Sequence, residues 1–317
     1  MKYLVTGAAG FIGSNLIDRI VQNGDEVIAI ENFDETLRPA SSRRRWHRQL
    51  GNSPQVKFIE GDLVDLPLPD LLLDVEVVIH QAATPGLNPS WIHFDRYLHN
   101  NVLATQSLAQ ALVKASERPR FRVKRVVHAS TSSVYGLLAT GDELEPTRPI
   151  SPYGISKLAS EQVWGAYAKL IPADLITLRY FSVYGPRQRS DMAWSQFIEA
   201  ILNDEEIQIT GDGEQTRSVT YVGDVVTATL QAGNSDRAQG IYNICGDVGI
   251  SVNEAIKTIE TLIGKSAKKT YVPTRLGDQA RTQGKNKKAK TELGFTNSTS
   301  IQEGLAAQIK NALNERS

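Results

Sequence analysis

The chain has 317 residues, and 35 lysines and arginines balance 35 aspartates and glutamates, so the formal net charge is zero. That balance argues against a partner bound through nucleic-acid phosphates. Hydrophobic residues at 41% and charged residues at 22% are ordinary globular usage and argue against a disordered or membrane-embedded chain.

Cys245 is the single cysteine, which excludes an internal disulfide, and without a Cys/His cluster a metal-free fold in a reducing compartment is expected. No apolar run reaches the ~18 residues that span a bilayer. Met1-Lys2-Tyr3-Leu4-Val5 runs straight into a glycine turn and leaves no room for a signal-peptide core, so a cytoplasmic setting is expected.

In chain order, β-branched and aliphatic runs at 3–6, 26–31, 56–60, 75–80, 125–130 and 175–180 predict strands. Apolar residues at helical spacing predict helices over 12–22, 98–114 and 153–169. The alternation predicts an α/β fold, a Rossmann-type doubly wound parallel sheet over residues 1–180. After residue 180 come Pro186, the polar stretch 187–191, one helix and the turn Gly211-Asp212-Gly213. They predict a smaller C-terminal α/β substrate domain over 181–317, with part of 219–247 returning to the first domain. Two basic clusters, Arg43, Arg44, Arg45 and Arg48 and then Lys285, Lys287, Lys288 and Lys290, read as solvated faces.

Thr6-Gly7-Ala8-Ala9-Gly10-Phe11-Ile12-Gly13 follows the first strand and opens a helix. Gly7 permits the tight turn, Gly10 lets backbone approach a pyrophosphate, and Gly13 lets the helix pack on the sheet, while free N–H groups face the anion. Glu31 ends the second strand, where a carboxylate accepts the adenosine ribose hydroxyls and repels a 2′-phosphate. NAD is therefore favoured, with NADP kept open by the nearby arginines. Asp62-Leu63 fits either an adenine edge or a turn cap.

Ser151-Pro152-Tyr153-Gly154-Ile155-Ser156-Lys157 sets a phenol and an ammonium on one face of a helix. A phenol pKa of ~10 leaves little phenolate at pH 7. One cation at ~5 Å and an effective dielectric of ~20 is worth roughly 3 kcal/mol, about two pKa units. An oxidised nicotinamide would add a second positive charge. The spacing itself is common and fixes no function. Ala129-Ser130-Thr131-Ser132-Ser133-Val134-Tyr135-Gly136 puts hydroxyls at the carboxyl end of a central strand, where doubly wound sheets bind ligands and where plain turns also occur.

Taken in order, the Gly7/Gly10/Gly13 turn, His80-Gln81-Ala82-Ala83, Asn100-Asn101-Val102, Ala129-Ser130-Thr131, Tyr153/Lys157 and Leu178-Arg179-Tyr180-Phe181 resemble the extended short-chain dehydrogenase/reductase superfamily, and within it the NAD-dependent nucleotide-sugar epimerases. The similarity spans residues 2 to about 305. It implies that Tyr153 is the general base, that Lys157 tunes it and binds the nicotinamide ribose, and that Thr131 bonds the sugar hydroxyl. It also implies that Ala82 lines the cofactor, that Asn101 supports the catalytic helix, and that Arg217 and Arg281 grip the nucleotide pyrophosphate.

Related dehydratases and decarboxylases carry acids where this chain has Ser132-Ser133, so epimerisation at C4 is the reaction implied. The stretch from Ser182 to Ala193, with Pro85-Gly86 and Ser90-Trp91, is most similar to UDP-glucuronic acid 4-epimerases. By that resemblance Ser132, Ser133, Ser182 and Arg189 contact the sugar of a UDP-sugar. Asn88, Ser218-Val219 and Lys285 depart from the family pattern and bear on the substrate. The alternatives are a UDP-glucose or N-acetylhexosamine 4-epimerase, a decarboxylase, and a non-catalytic NAD-binding regulator. The resemblance also implies a homodimer, although stripes on 98–114 and 153–169 equally fit packing on the sheet.

Overall fold

The computed structural model describes residues 1–36, 39–273 and 281–316. Strands β1 (Lys2–Thr6), β2 (Glu26–Glu31), β3 (Val56–Glu60), β4 (Val77–His80) and β5 (Arg125–Thr131) alternate with helices α1 (Phe11–Gln22), α2 (Ser41–Leu50), α3 (Leu68–Leu71), α4 (Phe94–Tyr97) and α5 (Ala104–Ser116). Then come β6 (Leu138–Ala139), α6 (Pro152–Tyr167), β7 (Asp174–Tyr180), β8 (Ser182–Tyr184) and α7 (Ala193–Asn203). The remaining elements are β9 (Glu206–Thr210), β10 (Thr216–Tyr221), α8 (Val222–Asn234), β11 (Gly240–Ile244), β12 (Gly249–Ser251), α9 (Val252–Ile263), β13 (Lys268–Val272), β14 (Arg281–Thr282) and α10 (Ile301–Arg316).

The residues of β4 and β5 show no polar alternation and are buried along their whole length, as parallel strands covered on both faces must be. They sit in a seven-stranded parallel sheet of order β11-β7-β5-β4-β1-β2-β3. Six of these strands are marked by aliphatic runs. The seventh, β11, carries Tyr242 and Asn243 in a shorter run and is brought back to β7 by α8. Leu16, Ile17 and Ile20 of α1 pack with Val225 and Val226 of α8 on one face. Leu108 and Leu112 of α5 pack with Trp164 of α6 on the other. Each such buried aliphatic side chain contributes about 1.5–3 kcal/mol. A third core joins Trp194 and Phe197 of α7, Ile207 of β9, Ile256 and Ile259 of α9 and Leu305 of α10.

The strand order reverses between β1 and β4, and a cleft opens there at the carboxyl ends of the strands, the topological switch point of such sheets. The helix predicted over 98–114 is present but not uniformly α-helical. Helical turns begin at Phe94, widen to π geometry over Leu98–Leu103 and tighten again in α5. The wide turn brings Asn100 and Asn101 together onto Thr84, and single π-turns of this kind are common at functional sites. Among the described residues no helix is long and apolar enough to cross a membrane, and no group of three or more His, Cys, Asp and Glu could hold a metal ion.

Candidate active site

The turn after β1 is held by its glycines for different reasons. Gly7 has φ +66°, and a Cβ on it would lie 2.7 Å from Ala82 N. A Cβ on Gly13 would lie 2.1 Å from Gly7 O, so the helix seats only as glycine. Gly10, which caps α1, would bring its Cβ no closer than 3.1 Å to Gly7 O, the single atom within 4 Å, so a methyl there would stand in the cleft. The cleft, about 700 Å³, is lined by this turn, by Phe11, Ile12, Glu31, Asp62, Leu63 and Ala82, and by Tyr153 and Lys157. A phosphate-sized group fits the space that Gly10 keeps open beside the α1 N-terminus.

Glu31 is 7% exposed and accepts from Ala9 N at 3.2 Å, Phe33 N at 3.3 Å and Arg43 Nη1 at 3.1 Å. Arg43 is therefore not part of a solvated face: it leans over the cleft onto Glu31 and also donates to Asp34 O at 2.6 Å. Its neighbours Arg44 and Arg45 reach Glu60 and Glu315 at the surface. Asp62 caps its own turn through Val64 N at 2.9 Å and takes further bonds from Asn32 and His99, each at 3.2 Å. Those bonds hold its carboxyl below the usual range against the opposing effect of burial. Leu63 is buried beneath it.

A chain of hydrogen bonds ties the turn to α6. Thr105 donates to Asn101 O at 2.6 Å, so its oxygen accepts from His80 Nε2 at 3.0 Å. Thr6 accepts from Ala82 N at 3.1 Å and donates to His80 Nδ1 at 2.8 Å. The Asn101 amide donates to Ser156 Oγ on α6 at 2.9 Å and to Thr84 O at 3.2 Å. Helix α6 itself starts cleanly, with Ser151 Oγ accepting from Gly154 N at 3.1 Å and Pro152 in the first turn.

This start sets Tyr153, half-buried, at the cleft wall with its ring edge-on to Tyr97. Desolvation pushes its phenol above the ordinary 10, and the groups opposing that shift are a hydrogen bond with Thr131 and the charge of Arg189. Lys157 is not among them. Its Nζ turns to His128 Nε2, 3.4 Å away, and burial brings the ammonium down to about 8 against the upward pull of Glu161. Glu161 in turn receives Arg179 Nε and Nη2 at 3.0 and 2.7 Å and the Ser130 hydroxyl.

A second cavity of about 220 Å³ brings Thr131, Ser132, Ser133, Ser182 and Arg217 together. Thr131 Oγ1 accepts from Ser133 N at 3.2 Å, closing the 3₁₀ turn Ser132–Tyr135. Ser182 opens β8 opposite Val219 of β10, the strand that carries Arg217. Arg189 lines the larger cleft, where Asp191 holds its guanidinium in a fork at 2.8 Å on both sides. The side chain of Arg281 lies outside the described residues. Of the departures from the family pattern, Ser218 is buried and donates to Gly246 O at 2.7 Å, Asn88 sits in the 3₁₀ turn Asn88–Trp91, and Lys285 is exposed.

Several groups at the site carry no local sequence signal. Arg187 has φ +68°, pairs with Asp18 Oδ2 at 2.6 Å and lies over the Trp46 ring at 4.5 Å. Asn311 and Glu315 of α10 close the cleft from the far end of the chain. Only the tertiary fold brings these to the glycine turn. For Arg187 the polar run beginning at that residue is the one available hint.

Residues 3–245 match the model of the NAD dependent epimerase/dehydratase family. A Bacillus subtilis protein described as the uncharacterized UDP-glucose epimerase YtcB is 36% identical, over 98% of this chain and 97% of its own. MoeE5 in complex with UDP-glucuronic acid and NAD superposes with a TM-score of 0.87 at 39% identity, covering 99% of this chain and 100% of that one. The UDP-glucuronic acid 4-epimerase of Bacillus cereus, crystallised with UDP-glucuronic acid and NAD, gives 0.92 at 35% identity with the same coverage, 99% and 100%. The glycine turn, the Tyr153 helix and these full-length similarities agree, and the chain belongs to the NAD dependent epimerase/dehydratase family.

Proposed function

We propose that the protein is an NAD-dependent nucleotide-sugar 4-epimerase that interconverts UDP-glucuronic acid and UDP-galacturonic acid. The observation that carries this reading is the meeting of Tyr153 and Thr131 beside a hydroxyl-lined cavity with no carboxylate among its described lining residues. An acid for eliminating water is missing there, while a base and a partner for one sugar hydroxyl are present. The two solved relatives with bound UDP-glucuronic acid and NAD support the substrate and the cofactor.

When bound, NAD would supply a reversible hydride acceptor: the hydride that leaves C4 as the 4-keto sugar forms would return to the opposite face of the same carbon. Tyr153 takes the proton of the 4-hydroxyl while Thr131 holds the same oxygen. The 4-keto sugar turns over in the pocket and receives its proton back from Tyr153. Lys157 supplies positive charge to the phenol side of the cleft and binds the nicotinamide ribose. Gly7, Gly10, Phe11, Ile12 and Gly13 cradle the dinucleotide pyrophosphate, and Ala82 borders the cofactor. Glu31 takes the adenosine ribose, and Asp62 and Leu63 flank the adenine. Ser132, Ser133 and Ser182 bind the sugar, and Arg217 and Arg281 bind the UDP pyrophosphate. Arg189 pairs with the C6 carboxylate. A 4-keto uronate is a β-keto acid, so gripping that carboxylate also keeps it out of alignment for loss of carbon dioxide.

One observation favours a neutral sugar instead: Asp191 already fills the Arg189 fork, and a substrate carboxylate must share or displace it. The similarity to a protein described as a UDP-glucose epimerase points the same way. Incubation with UDP-glucuronic acid and with UDP-glucose, followed by NMR of the products, separates the two. UDP-galacturonic acid without carbon dioxide release is expected. Turnover of UDP-glucose alone moves the assignment to the neutral sugar, and an unchanged pool of every sugar removes the enzyme reading.

The same proposal includes a cytoplasmic homodimer that engages neither nucleic acid nor membrane. Leu98, Leu103 and Ile155, 44%, 43% and 49% exposed along neighbouring helices, support the dimer face. The buried free thiol of Cys245 fits a reducing compartment.

A further inference from the structure

We propose that His128 is a positioning residue for Lys157, its Nε2 accepting one N–H of the ammonium on the buried side of α6 and leaving the other two for the cleft. The inference rests on the epimerase reading for its kinetic consequence, but the contact itself does not.

An ammonium has three donors and no acceptor, so at 3.4 Å from Lys157 Nζ the His128 Nε2 must carry a lone pair and the ring proton must sit on Nδ1. Nδ1 is buried with no partner among the described residues. A buried ring nitrogen without a bond is a cost that packing alone gives no reason to keep. The second neighbour of Nε2 is Ser160 Oγ at 3.3 Å, whose own proton goes to Lys157 O at 2.7 Å.

Burial and the charged or titratable groups that act on His128 favour a neutral ring, and the one carboxylate nearby, Glu161, is engaged elsewhere. From β4, His80 stacks on His128 with centroids 5.8 Å apart and is fixed by Thr6 and Thr105 with its proton on Nε2. From α6 come Lys157 itself and Glu161, whose carboxylate is already bound by Arg179 of β7 and the Ser130 hydroxyl of β5. Burial and the Lys157 charge drive His128 well below its ordinary value, and burial takes His80 to about 3. Tyr153 lies on the cleft side with Arg189. His128 is thus an acceptor that stays neutral across the working range, placed behind a lysine that burial has brought to about 8. Without it the ammonium loses a partner and its proton comes off at lower pH.

The test compares the holoenzyme with His128→Leu and His128→Gln, the latter returning an acceptor near the Nε2 position. Because one pH unit corresponds to tenfold in ionisation, His128→Leu is expected to move the alkaline limb of the kcat–pH profile down by about one unit. Its kcat at pH 7.5 should fall about threefold, approaching tenfold only above pH ~9, with KM for the UDP-sugar within about twofold of the parent, and His128→Gln should restore both. An unmoved alkaline limb in His128→Leu, or no recovery in His128→Gln, overturns the proposal. Independently of turnover, 15N NMR of histidine-labelled protein should show the His128 ring neutral, protonated at Nδ1, and perturbed by Lys157→Met. A proton on Nε2 overturns it as well. Wild-type protein inactive on both UDP-sugars would sink the epimerase reading while leaving the NMR result to decide the contact.

Discussion

The cofactor half and the sugar half of the cleft are built by different means. In the first, one unbroken stretch from β1 into α1 supplies the turn, the helix N-terminus and the three glycines, with Ala82 close against Gly7. In the second, Thr131 at the end of β5, Ser182 of β8 and Arg217 of β10 share a cavity because β8 and β10 pair side by side, while Arg189, a few residues beyond β8, lines the larger cleft. A site made by local backbone geometry tolerates few changes of shape. A site assembled from side chains can change its substrate one residue at a time, which is why the cofactor follows from the family and the sugar needs an experiment.

The contrast breaks most sharply at Tyr153, which serves both halves. Tyr153→Phe should lower kcat by about 10³-fold, within the range for loss of a general base, while the protein still melts near the parent temperature and retains NAD. Activity within tenfold of wild type would remove the phenol from the reaction.

Within the cofactor half, the three glycines should separate. Gly13→Ala drives a methyl to 2.1 Å from Gly7 O and should cost about 3 kcal/mol, seen as a lowered melting temperature. Gly10→Ala, with no contact under 3.1 Å, should fold within about 1 kcal/mol of the parent yet purify with little NAD. Equal NAD content in Gly10→Ala and wild type would show that the space is not used.

In the sugar half, Arg189→Gln should raise KM for UDP-glucuronic acid roughly 10- to 100-fold, the worth of a charge-assisted bond, and change KM for UDP-glucose less than about threefold. Equal effects on both sugars would favour the neutral substrate. Asp191→Asn, which frees the fork, should lower KM for the uronate by a few-fold.

Outside both halves, the buried histidines predict an effect on stability that appears only below pH ~6.5. His80, near 3, and His128, also depressed, are neutral when folded, while both titrate near 6.5 when unfolded. The unfolded chain therefore takes up protons first as pH falls. The stability these burials allow is complete above pH ~6.5 and is lost as pH falls below it, for His80 by about 1.4 kcal/mol per pH unit down to about 3, with His128 acting in the same direction. Urea midpoints at pH 7, 6 and 5 check this, and a flat series between 6 and 5 contradicts it.

How much of this is visible in the sequence follows from the same contrast. The inner strands announce themselves because parallel strands buried on both faces need largely apolar runs, and the edge strand β3 is marked by Val56, Phe58 and Ile59. The seventh, β11, is weaker because Tyr242 and Asn243 serve Glu292 and Tyr135 rather than a simple apolar layer. Tyr153 and Lys157 are legible from helical spacing. That Lys157 faces His128 is not, since it depends on how α6 sits over β5. The π-turn at Leu98–Leu103 is invisible to a 3.6-residue period, and Arg43 reads as a surface charge until α2 is seen leaning on Glu31. The sugar residues are legible only through family resemblance, because hydroxyls scattered over 131–217 have no common spacing.

The most direct measurement follows the hydrogen at C4. Purified protein incubated with UDP-glucuronic acid deuterated at that carbon should yield UDP-galacturonic acid with the deuterium still at C4, without added reductant and with no carbon dioxide evolved. Product that has exchanged the label with solvent, a pentose formed with loss of carbon dioxide, or a sugar pool left unchanged would contradict C4 oxidation and return within a single closed site.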